Sequence, residues 1–433
     1  MSPVYAFVLF LLHFGSELCS AIDTITSTQF LRDPDSIISN NSIFKLGFFS
    51  PPKSTNRYVG IWYTHPSVME VIWVANRNNP LTDSSGVLKI SDDGNLQVSN
   101  AKNRILWSSN NSNPTTRFAV AQLQNSGNLV LQLNSTVIWQ SAQHPTDSFL
   151  PNTRLTISND TDLRHVLQSW KSPSDPSNGR FSVGTDYSSL FQIIIFEGDY
   201  PHWRSGPWNG NIFIGTRYHN TGFGNIFVNS GSFTQEVDGE GVTSLVFTGA
   251  NESLLLHYEL SYEGIIAQKW WDDGSKKWGI TWKAPETECD IYGTCGEFGI
   301  CNPETSPLCS CLKGFEPKNK EEWKRGNWTN GCVRKKQLQC GVQGGEEDGF
   351  LQLQKMKVPD NAEWTMGLNI DECRSKCFSS CSCLAYAYDT GIACMTWSRS
   401  LFDIAVLDPG GADLYLRLAQ SELGKSLPDI LSE

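Results

Sequence analysis

The cysteines are confined to one part of this 433-residue chain. Seven of the thirteen lie between Cys289 and Cys340, and none occurs between Cys19 and Cys289. The first five of them follow the spacing C-x5-C-x5-C-x7-C-x-C. A segment this short carries too little apolar surface to fold by burial alone, so cross-links must substitute for a core. The spacing therefore predicts a small disulfide-rich module.

Zinc ligation is the alternative interpretation of these thiols. Structural zinc sites usually contain cysteine pairs separated by two to four residues, often with histidine, and no histidine follows His257 in this chain. We therefore favour disulfides, and we expect no metal ion and no cofactor.

The N-terminal residues favour export, which disulfides require. Ala6 to Leu12 form a short apolar run, and Cys19-Ser20-Ala21 offers small residues for signal cleavage. No lysine or arginine precedes the run, which departs from the usual signal. A membrane anchor is the alternative, but crossing a bilayer takes about 20 apolar residues. We expect a signal peptide at residues 1–21, a secreted protein, and twelve cysteines in the mature chain.

The sequence also predicts a glycoprotein that does not bind nucleic acid or anionic membranes. Its formal net charge of −11 argues against nucleic acid or anionic membrane as a partner. Fifteen tryptophans and only 18% charged residues, with frequent Gly and Asn, are typical of β-structure joined by turns. The six N-glycosylation sequons begin at Asn40, Asn110, Asn134, Asn159, Asn251 and Asn327.

Residues 22–148 contain an internal repeat with a period near 33. Two kinds of triplet recur. The first is two aliphatic residues followed by tryptophan, and it occurs as Val71-Ile72-Trp73, Ile105-Leu106-Trp107 and Val137-Ile138-Trp139. The second is Gly-Asn-Leu, and it occurs at Gly94-Asn95-Leu96 and Gly127-Asn128-Leu129. Such a period without helical spacing predicts three similar sheets around one core. We expect the three tryptophans to pack at its centre.

The repeat and its flanking motifs resemble a known plant family. WVANRNNP, DDGNLQV and WQSAQHPTDSFLP are similar to the bulb-type lectin domain of S-locus glycoproteins, the ectodomains of G-type lectin S-receptor-like serine/threonine kinases. The similarity continues through SWKSPSDPSNGRFSVG, RSGPWNG and the cysteine stretch to ADLYLRL, and so covers nearly the whole mature chain.

The resemblance implies a mainly β fold with tandem β-prism lectin-like domains, then a disulfide-rich EGF-like module and an α+β PAN/apple domain. The implied boundaries are 22–148 for the bulb-type lectin domain, 149–285 for the S-locus glycoprotein domain, 286–339 for the EGF-like module, 340–420 for the PAN/apple domain and 421–433 for a C-terminal tail. With this division, we expect reduction to unfold the region after Cys289 while residues 22–285 stay folded.

Sugar-binding residues carry over only in part. Mannose-binding lectins of this type use a Q-x-D-x-N-x-V-x-Y strand. Aligned on the two Gly-Asn-Leu triplets, the chain has Ser91, Asp93, Asn95, Gln97 and Ser99, and then Gln124, Ser126, Asn128, Val130 and Gln132. The degenerate sugar candidates are therefore Asp93, Asn95, Gln124 and Asn128. The alternative is that both segments only make turns.

The second lectin-like domain offers a tryptophan cluster beside a turn. The turn Asp272–Ser275 is flanked by Trp270, Trp271, Trp278 and Trp282. We expect hairpin packing rather than a ligand platform. Asp272 and Asp273 look like paired carboxylates, but a turn explains them without catalysis.

Within the cysteine-rich region the resemblance implies specific pairings. They are Cys289–Cys301, Cys295–Cys309 and Cys311–Cys332 in the EGF-like module, and Cys373–Cys394 and Cys377–Cys383 in the PAN/apple domain. Cys340 and Cys381 are left over, and their pairing stays open. Calcium is not expected, because Thr287 and Pro285 occupy the positions of the usual ligands.

A helix is predicted in the PAN/apple domain. Cys373, Cys377 and Cys381 recur every fourth residue, which would place three thiols on one helical face. Either Asn369 or Asp371 is expected to cap its start.

These features favour a secreted recognition glycoprotein without catalysis of its own. The chain has no G-x-G-x-x-G-x-V, H-R-D or D-F-G motif of a kinase, and no G-x-S-x-G or H-E-x-x-H motif of a hydrolase. The resemblance implies an extracellular protein or peptide ligand, such as a small cysteine-rich protein in pollen recognition or defence signalling, with homodimerisation or a co-receptor. The alternatives are a functional mannose-binding lectin and a secreted carbohydrate-processing enzyme.

Twelve mature cysteines in an oxidising compartment predict six disulfides and no free thiol. Denatured but unreduced protein, exposed to a thiol reagent and analysed by mass spectrometry, is expected to remain unlabelled. Stoichiometric labelling of any cysteine would contradict the prediction.

Overall fold

The computed structural model describes residues 22–64, 69–111, 118–152, 154–157, 165–186, 190–217, 232–237, 243–248, 255–340, 347–408 and 410–423. The chain divides into two compact units, Met1–His144 and Pro145–Glu433. The predicted signal peptide at residues 1–21 and the sequons at Asn159 and Asn251 lie outside the described residues. Among the helices of the described part, none is long and apolar enough to cross a membrane.

The first unit contains three four-stranded antiparallel sheets, as the repeat predicted. Its strands are β1 (Thr24–Ile25), β2 (Leu31–Arg32), β3 (Ser36–Ile38), β4 (Phe44–Phe49), β5 (Tyr58–Tyr63), β6 (Val71–Val74), β7 (Val87–Ile90), β8 (Leu96–Ser99), β9 (Ile105–Ser108), β10 (Val120–Leu123), β11 (Leu129–Leu133) and β12 (Thr136–Gln140). The sheet orders are β1-β10-β11-β12, β2-β7-β8-β9 and β3-β4-β5-β6. Each sheet thus joins one short N-terminal strand to three consecutive strands. A 3-10 helix, Ser141–Gln143, follows β12.

The three repeated tryptophans meet in this unit. Trp73, Trp107 and Trp139 each lie on the last strand of a different sheet. Their ring centroids are 5.6, 6.0 and 5.6 Å apart, with edge-to-face geometry. Such aromatic pairs add about 0.5–1.5 kcal/mol each beyond the burial of their area. The packing interpretation of these residues agrees with this arrangement.

The second unit begins with three further sheets. Its first strands are β13 (Ser148–Phe149), β14 (Arg154–Ile157), β15 (His165–Ser172), β16 (Asp175–Asp186), β17 (Gln192–Glu197), β18 (Tyr200–Arg204), β19 (Ser232–Val237), β20 (Thr243–Thr248), β21 (Leu256–Leu260), β22 (Ile266–Asp272) and β23 (Lys277–Ala284). They form the sheets β13-β21-β22-β23, β14-β20-β19 and β15-β16-β17-β18. Phe181, Ile195 and Phe247 are among the side chains that fill the core between them. The predicted mainly β class with repeated lectin-like sheets is confirmed.

The cysteine-rich and C-terminal regions share one sheet. After the 3-10 helix Glu288–Asp290, the elements are β24 (Gly299–Cys301), β25 (Cys309–Cys311), β26 (Phe315–Pro317), α1 (Lys320–Lys324), β27 (Cys332–Arg334), β28 (Gly349–Lys357), β29 (Glu363–Thr365), α2 (Ile370–Ser379), β30 (Ala385–Asp389), β31 (Ala393–Trp397), β32 (Ile404–Val406), β33 (Ala412–Leu418) and α3 (Gln420–Leu423). The eight-stranded sheet has the order β25-β24-β32-β28-β33-β30-β31-β29, and β26 pairs with β27. Because β24 runs parallel to β32, with Ile300 opposite Ile404, hydrogen bonding continues across the proposed boundary at residue 340.

Six disulfides cross-link this region in the structure. They join Cys289 to Cys301, Cys295 to Cys309, Cys311 to Cys332, Cys340 to Cys381, Cys373 to Cys394 and Cys377 to Cys383. Five pairs are those that the family resemblance implies, and the sixth joins the two remaining cysteines. Four buried cysteines pack with Ala405 as a small core of their own. Sulfur thus fills the place of apolar side chains in the segment between Cys289 and Cys332.

The predicted helix is α2, but it is shorter than the cysteine spacing suggested. Asn369 caps its start by accepting hydrogen bonds from the backbone N–H groups of Asp371 and Glu372. The helix ends at Ser379, so the prediction that Cys381 shares its face was wrong. The Cys377–Cys383 bond folds the chain back within six residues, which a continuing helix does not allow.

An ion pair also joins the cysteine-free part of the second unit to its last domain. The Arg204 Nε atom on β18 lies 2.6 Å from the Asp403 Oδ2 atom just before β32. Gln192 on β17 donates a 2.9 Å hydrogen bond to Asp360, between β28 and β29. Residues 145–285 therefore depend on contacts with the cross-linked region.

This dependence changes the expected effect of reduction. We now expect residues 145–433 to unfold together when the disulfides are reduced, while residues 22–144 stay folded. Hydrogen exchange measured by mass spectrometry with and without reductant would follow both units in one experiment. Protected β15–β18 amides in the reduced protein would show that the S-locus segment is independent of the disulfides.

Candidate functional site

The first degenerate sugar candidate is a tight turn between β7 and β8. The Asp93 carboxylate accepts hydrogen bonds from the Ser91 hydroxyl, from the backbone N–H of Asn95 (3.3 Å) and from the Asn95 side-chain amide (3.1 Å). These bonds, led by those of Ser91 and Asn95, hold the pKa of Asp93 below its ordinary value. The carboxylate is exposed, but its oxygens already stabilise the turn.

The Asn95 amide is buried and bonded within the protein. Its Oδ1 atom accepts from the Ser109 hydroxyl at 3.0 Å and from the Asn111 backbone N–H at 2.7 Å. Its Nδ2 atom donates to Asp93 and, at 3.4 Å, to the Asn111 carbonyl. Only 7% of the residue is exposed. A sugar hydroxyl would have to replace these bonds, and each buried partner left unpaired costs about 1–3 kcal/mol.

The second candidate, between β10 and β11, repeats the arrangement. The Asn128 Oδ1 atom accepts from the Ser141 hydroxyl at 3.1 Å and from the Ala142 backbone N–H at 3.0 Å. Its Nδ2 atom donates to the Gln140 side chain at 2.8 Å. Gln124 contributes its backbone, which bonds to Asn128 and Gly127 across the turn, while its side chain is exposed.

The remaining positions of the two aligned strands do not form an open polar row. Gln97 and Ser99 are buried on β8, and Val130 is buried on β11. Of the four sugar candidates, only Asp93 and Gln124 expose their side chains. The fold therefore brings the predicted residues to equivalent turns but does not aim their amides outward.

Sequence analysis missed Asn76, which has the same role in the third sheet as a serine has in each of the other two. On the sheet of β3–β6 the side-chain oxygen of Asn76 accepts from the Val59 backbone N–H at 2.8 Å. In the other two sheets a serine hydroxyl takes this role, Ser109 for Leu96 and Ser141 for Leu129. Asn76 and these serines lie two or three residues after the repeated tryptophans, a spacing that could have revealed them.

The four described sequon asparagines are accessible. Asn40, Asn110, Asn134 and Asn327 are all exposed, the first three around the first unit and the last just after α1. They remain predicted glycosylation sites.

The tryptophan cluster of the second unit packs along a hairpin. Trp271 and Trp278 lie opposite each other on β22 and β23, with ring centroids 5.8 Å apart. Asp272 accepts a 2.9 Å hydrogen bond from the Gly274 backbone N–H, and Asp273 accepts one from the Trp271 indole at 3.0 Å. Both carboxylates thus accept hydrogen bonds that stabilise the hairpin turn.

A buried charge cluster is the other feature that the sequence did not reveal. Arg204 and Lys357 both lie against Asp403, with nitrogen–oxygen distances of 2.6 and 2.8 Å. All three side chains are at most 4% exposed. Arg204 also donates to the carbonyls of Val358 (2.6 Å) and Asp403 (2.9 Å).

A second carboxylate completes the cluster. Asp360 accepts from the Tyr292 hydroxyl at 2.7 Å and from Gln192 at 2.9 Å. Burial acts to raise the pKa of Asp360 and Asp403. Arg204 outweighs this effect at Asp360, and Lys357 together with Arg204 outweighs it at Asp403, so both pKa values lie below the ordinary value. The basic side chains thus favour the ionised forms of the two carboxylates. Enclosure of the whole set suits a structural role, because catalysis needs access for a substrate.

Comparisons with known families agree with the two kinds of lectin-like sheet and the last domain. A D-mannose binding lectin model matches residues 70–171, an S-locus glycoprotein domain matches residues 203–319, and a PAN-like domain matches residues 340–404. None of these three descriptions names a catalytic domain.

Relatives that match nearly the whole chain are named as receptor-like kinases of Arabidopsis thaliana. The chain is 40% identical over 437 residues to G-type lectin S-receptor-like serine/threonine-protein kinase SD1-13 of Arabidopsis thaliana, covering 98% of this chain and 52% of that protein. Over nearly its whole length this chain is therefore similar to a G-type lectin S-receptor-like kinase. A second Arabidopsis thaliana relative, G-type lectin S-receptor-like serine/threonine-protein kinase At1g11330, is 43% identical over 423 residues, with 94% of this chain and 49% of that protein covered. The chain spans about half the length of these two relatives.

The solved lectin structures match only a part of this chain. A monomeric monocot mannose-binding lectin from Gastrodia elata is 20% identical, with 28% of this chain and 96% of that chain covered and a TM-score of 0.23. The mannose-specific agglutinin of snowdrop (Galanthus nivalis), complexed with methyl-α-D-mannoside, is 21% identical, with 26% and 85% covered and a TM-score of 0.17. Scores this low carry no argument about binding.

The buried cluster predicts a large cost for removing one charge. Asp403→Asn leaves Arg204 and Lys357 beside a neutral amide, which should destabilise the second unit by about 3–5 kcal/mol. The matched control is Asp408→Asn, because Asp408 pairs with Lys355 at 2.8 Å but both side chains are more than half exposed. Its expected cost is below about 1 kcal/mol. Urea unfolding of the disulfide-intact protein measures both, and equal costs would contradict the prediction.

The same cluster sets the direction of the pH dependence. Because the folded-state pKa values of Asp360 and Asp403 lie below those of the unfolded chain, their stabilisation is present above about pH 4 and is lost as the pH falls through the folded-state values. Asp403→Asn should flatten this acid-side loss in unfolding experiments between pH 2 and 7.

Proposed function

We propose that this chain is an extracellular recognition ectodomain that binds a protein or peptide and does not use its lectin turns for mannose. The observation that supports the proposal is the internal bonding of Asn95 and Asn128. In both turns the amide that would contact a sugar is held by a serine hydroxyl and a backbone N–H of the protein itself.

The energetics favour this proposal over a functional mannose-binding lectin. Each turn lacks at least two of the five residues that define the mannose-binding strand. At about 1–3 kcal/mol for each lost partner, binding of a single mannose would weaken by roughly one to four orders of magnitude. The first lectin-like domain then acts mainly as a scaffold.

The proposed role follows from the family and from the area available. Two lectin-like folds, an EGF-like module and a PAN/apple domain together present a large surface for a small cysteine-rich protein, with a second copy of the chain or a co-receptor as a further partner. We propose cell–cell recognition, such as pollen recognition or defence signalling, as the setting. The same proposal includes domain boundaries at residues 148, 285, 339 and 420. It also includes secretion after signal cleavage near residue 21.

A secreted carbohydrate-processing enzyme is the less favoured function. The carboxylates that sequence inspection singled out, Asp272 and Asp273, support a turn, and Asp360 and Asp403 are enclosed with basic partners. We therefore propose no catalytic role for the described residues. Hydrolysis of a glycoside panel that is abolished by one carboxylate substitution would overturn this assignment.

Mannose titration tests the proposed loss of lectin function. We expect no saturable binding of mannose or mannose oligomers at micromolar concentration, measured by isothermal titration calorimetry on enzymatically deglycosylated protein. Asn95→Ala should instead lower the unfolding temperature of the first unit, because it removes buried hydrogen bonds.

The outcome against the proposal is equally specific. Saturable micromolar binding that is lost in Asp93→Ala, but kept in the neighbouring exposed control Asp92→Ala, would show that the turn is a working sugar site.

A further inference from the structure

A strongly basic segment stands out in this acidic chain. Residues 313–336 contain eight basic and three acidic side chains, a net charge of +5 within a protein whose formal net charge is −11. The basic residues are Lys313, Lys318, Lys320, Lys324, Arg325, Arg334, Lys335 and Lys336. We call residues 313–336 the basic hairpin, because β26 and β27 form its two strands.

The strand register directs much of this charge outward. Phe315 on β26 and Cys332 on β27 are buried. The alternate positions face away from this core, and among them Lys318 and Lys335 are exposed. Glu316, between them on the same face, pairs with Lys320 at 2.7 Å. Lys320 in turn leaves 64% of its side chain exposed. One outward face thus carries three lysines around a single carboxylate.

Further lysines extend the positive surface at both ends. On α1, Lys324 keeps 74% of its side chain exposed, although it lies 3.7 Å from Glu321. At the other end the Lys336 ammonium lies 3.2 Å from the Ser421 hydroxyl and keeps 55% of its side chain exposed. Lys313 donates to the Leu423 carbonyl at 3.4 Å. The positive charge therefore follows the length of the hairpin rather than converging on one point.

Each of the two arginines makes a hydrogen bond within the protein. Arg334 donates to the Arg417 carbonyl at 2.9 Å and stacks over Phe315 at 4.6 Å. Arg325 donates to the Glu321 carbonyl at 3.1 Å. Arginine forks bind carboxylate or phosphate in a bidentate manner, whereas lysines act as point charges. Because most of the exposed basic residues are lysines, the positive surface is a row of point charges, which suits separate anionic groups along a polymer.

Apolar anchors are scarce on the same face. Among the described large hydrophobic residues of the hairpin, only Val333 is exposed, with 40% of its surface accessible. Protein partners usually insert aromatic or aliphatic side chains at the centre of an interface. A flexible polymer with regularly spaced negative charge needs no such centre, because its binding is driven by charge and counterion release.

We propose that the basic hairpin binds an acidic polysaccharide whose sugars carry carboxylates. The residues of this site are not those of the lectin turns, and the polysaccharide is a different ligand from the protein proposed above. The rest of the chain carries a negative formal net charge, which disfavours binding of such a polymer outside the hairpin. The contact positions the ectodomain on a polyanionic matrix through many weak ion pairs.

The test uses sodium polygalacturonate, a polymer with one carboxylate per sugar, and the full chain with its disulfides intact. Immobilised polymer should bind the wild-type protein, and raising NaCl from 50 to 300 mM should weaken binding by at least about tenfold. Lys318→Glu combined with Lys335→Glu should weaken it by at least about tenfold at low salt, because two attractive charges become repulsive. A neutral galactan should not bind.

Matched controls separate this site from a general charge effect. Lys171→Glu combined with Lys283→Glu makes the same change in net charge at two exposed lysines outside the hairpin, and should bind like the wild type. Unfolding temperatures of both double variants should match the wild type, since all four lysines are exposed. The assay is repeated after deglycosylation, because Asn327 lies beside Arg325.

Three results would overturn the proposal. They are equal weakening in both double variants, equal binding of the neutral galactan, and binding to phosphatidylserine vesicles without binding to polygalacturonate. Loss of mannose or protein-ligand binding has no bearing on these outcomes, so this inference fails independently of the proposed function.

Discussion

The second unit depends on a neutralised charge cluster in its interior. Arg204, Lys357 and Asp403 come from three distant parts of the chain, and both basic side chains lie within hydrogen-bonding distance of the Asp403 carboxylate. A buried ion is costly unless it is paired and hydrogen-bonded, so each of these residues requires the others to be in place. The cluster therefore couples the S-locus sheets to the last domain and makes residues 145–433 one unit. Strand pairing adds to this coupling, because β24 of the cysteine-rich segment runs parallel to β32 of the last domain.

The first unit is organised differently, by aromatic packing and repeated turns. Trp73, Trp107 and Trp139 bring one strand of each sheet to a common centre. Near each tryptophan a polar side chain satisfies a backbone N–H at the start of a strand. Asn95 and Asn128, which resemble sugar ligands, hydrogen-bond to the serines among these side chains. The recurrence of asparagine at both positions of the repeat therefore has a structural cause. A lectin-like architecture is thus compatible with a recognition role that uses other surfaces.

The distribution of charge along the chain indicates one surface that could bind a partner. The chain is acidic as a whole, yet the basic hairpin concentrates positive charge on a rigid, disulfide-anchored element. Net charge describes long-range attraction and solubility, whereas binding responds to local charge. The exclusion of polyanionic partners from the value of −11 therefore holds for the average surface and does not extend to this hairpin.

The sequence by itself determined the β class, the three-fold repeat and the cysteine-rich character of residues 289–394. These are local or periodic features, because strand alternation, turn residues and cysteine spacing are written in short segments. Family resemblance added the domain order and five of the disulfide pairs. Only the tertiary structure decided that Asn95 and Asn128 point into hydrogen-bond networks, that α2 ends before Cys381, and that Arg204, Lys357 and Asp403 meet. Those facts depend on contacts between residues far apart in the chain, where no local pattern specifies which partner a polar side chain will find.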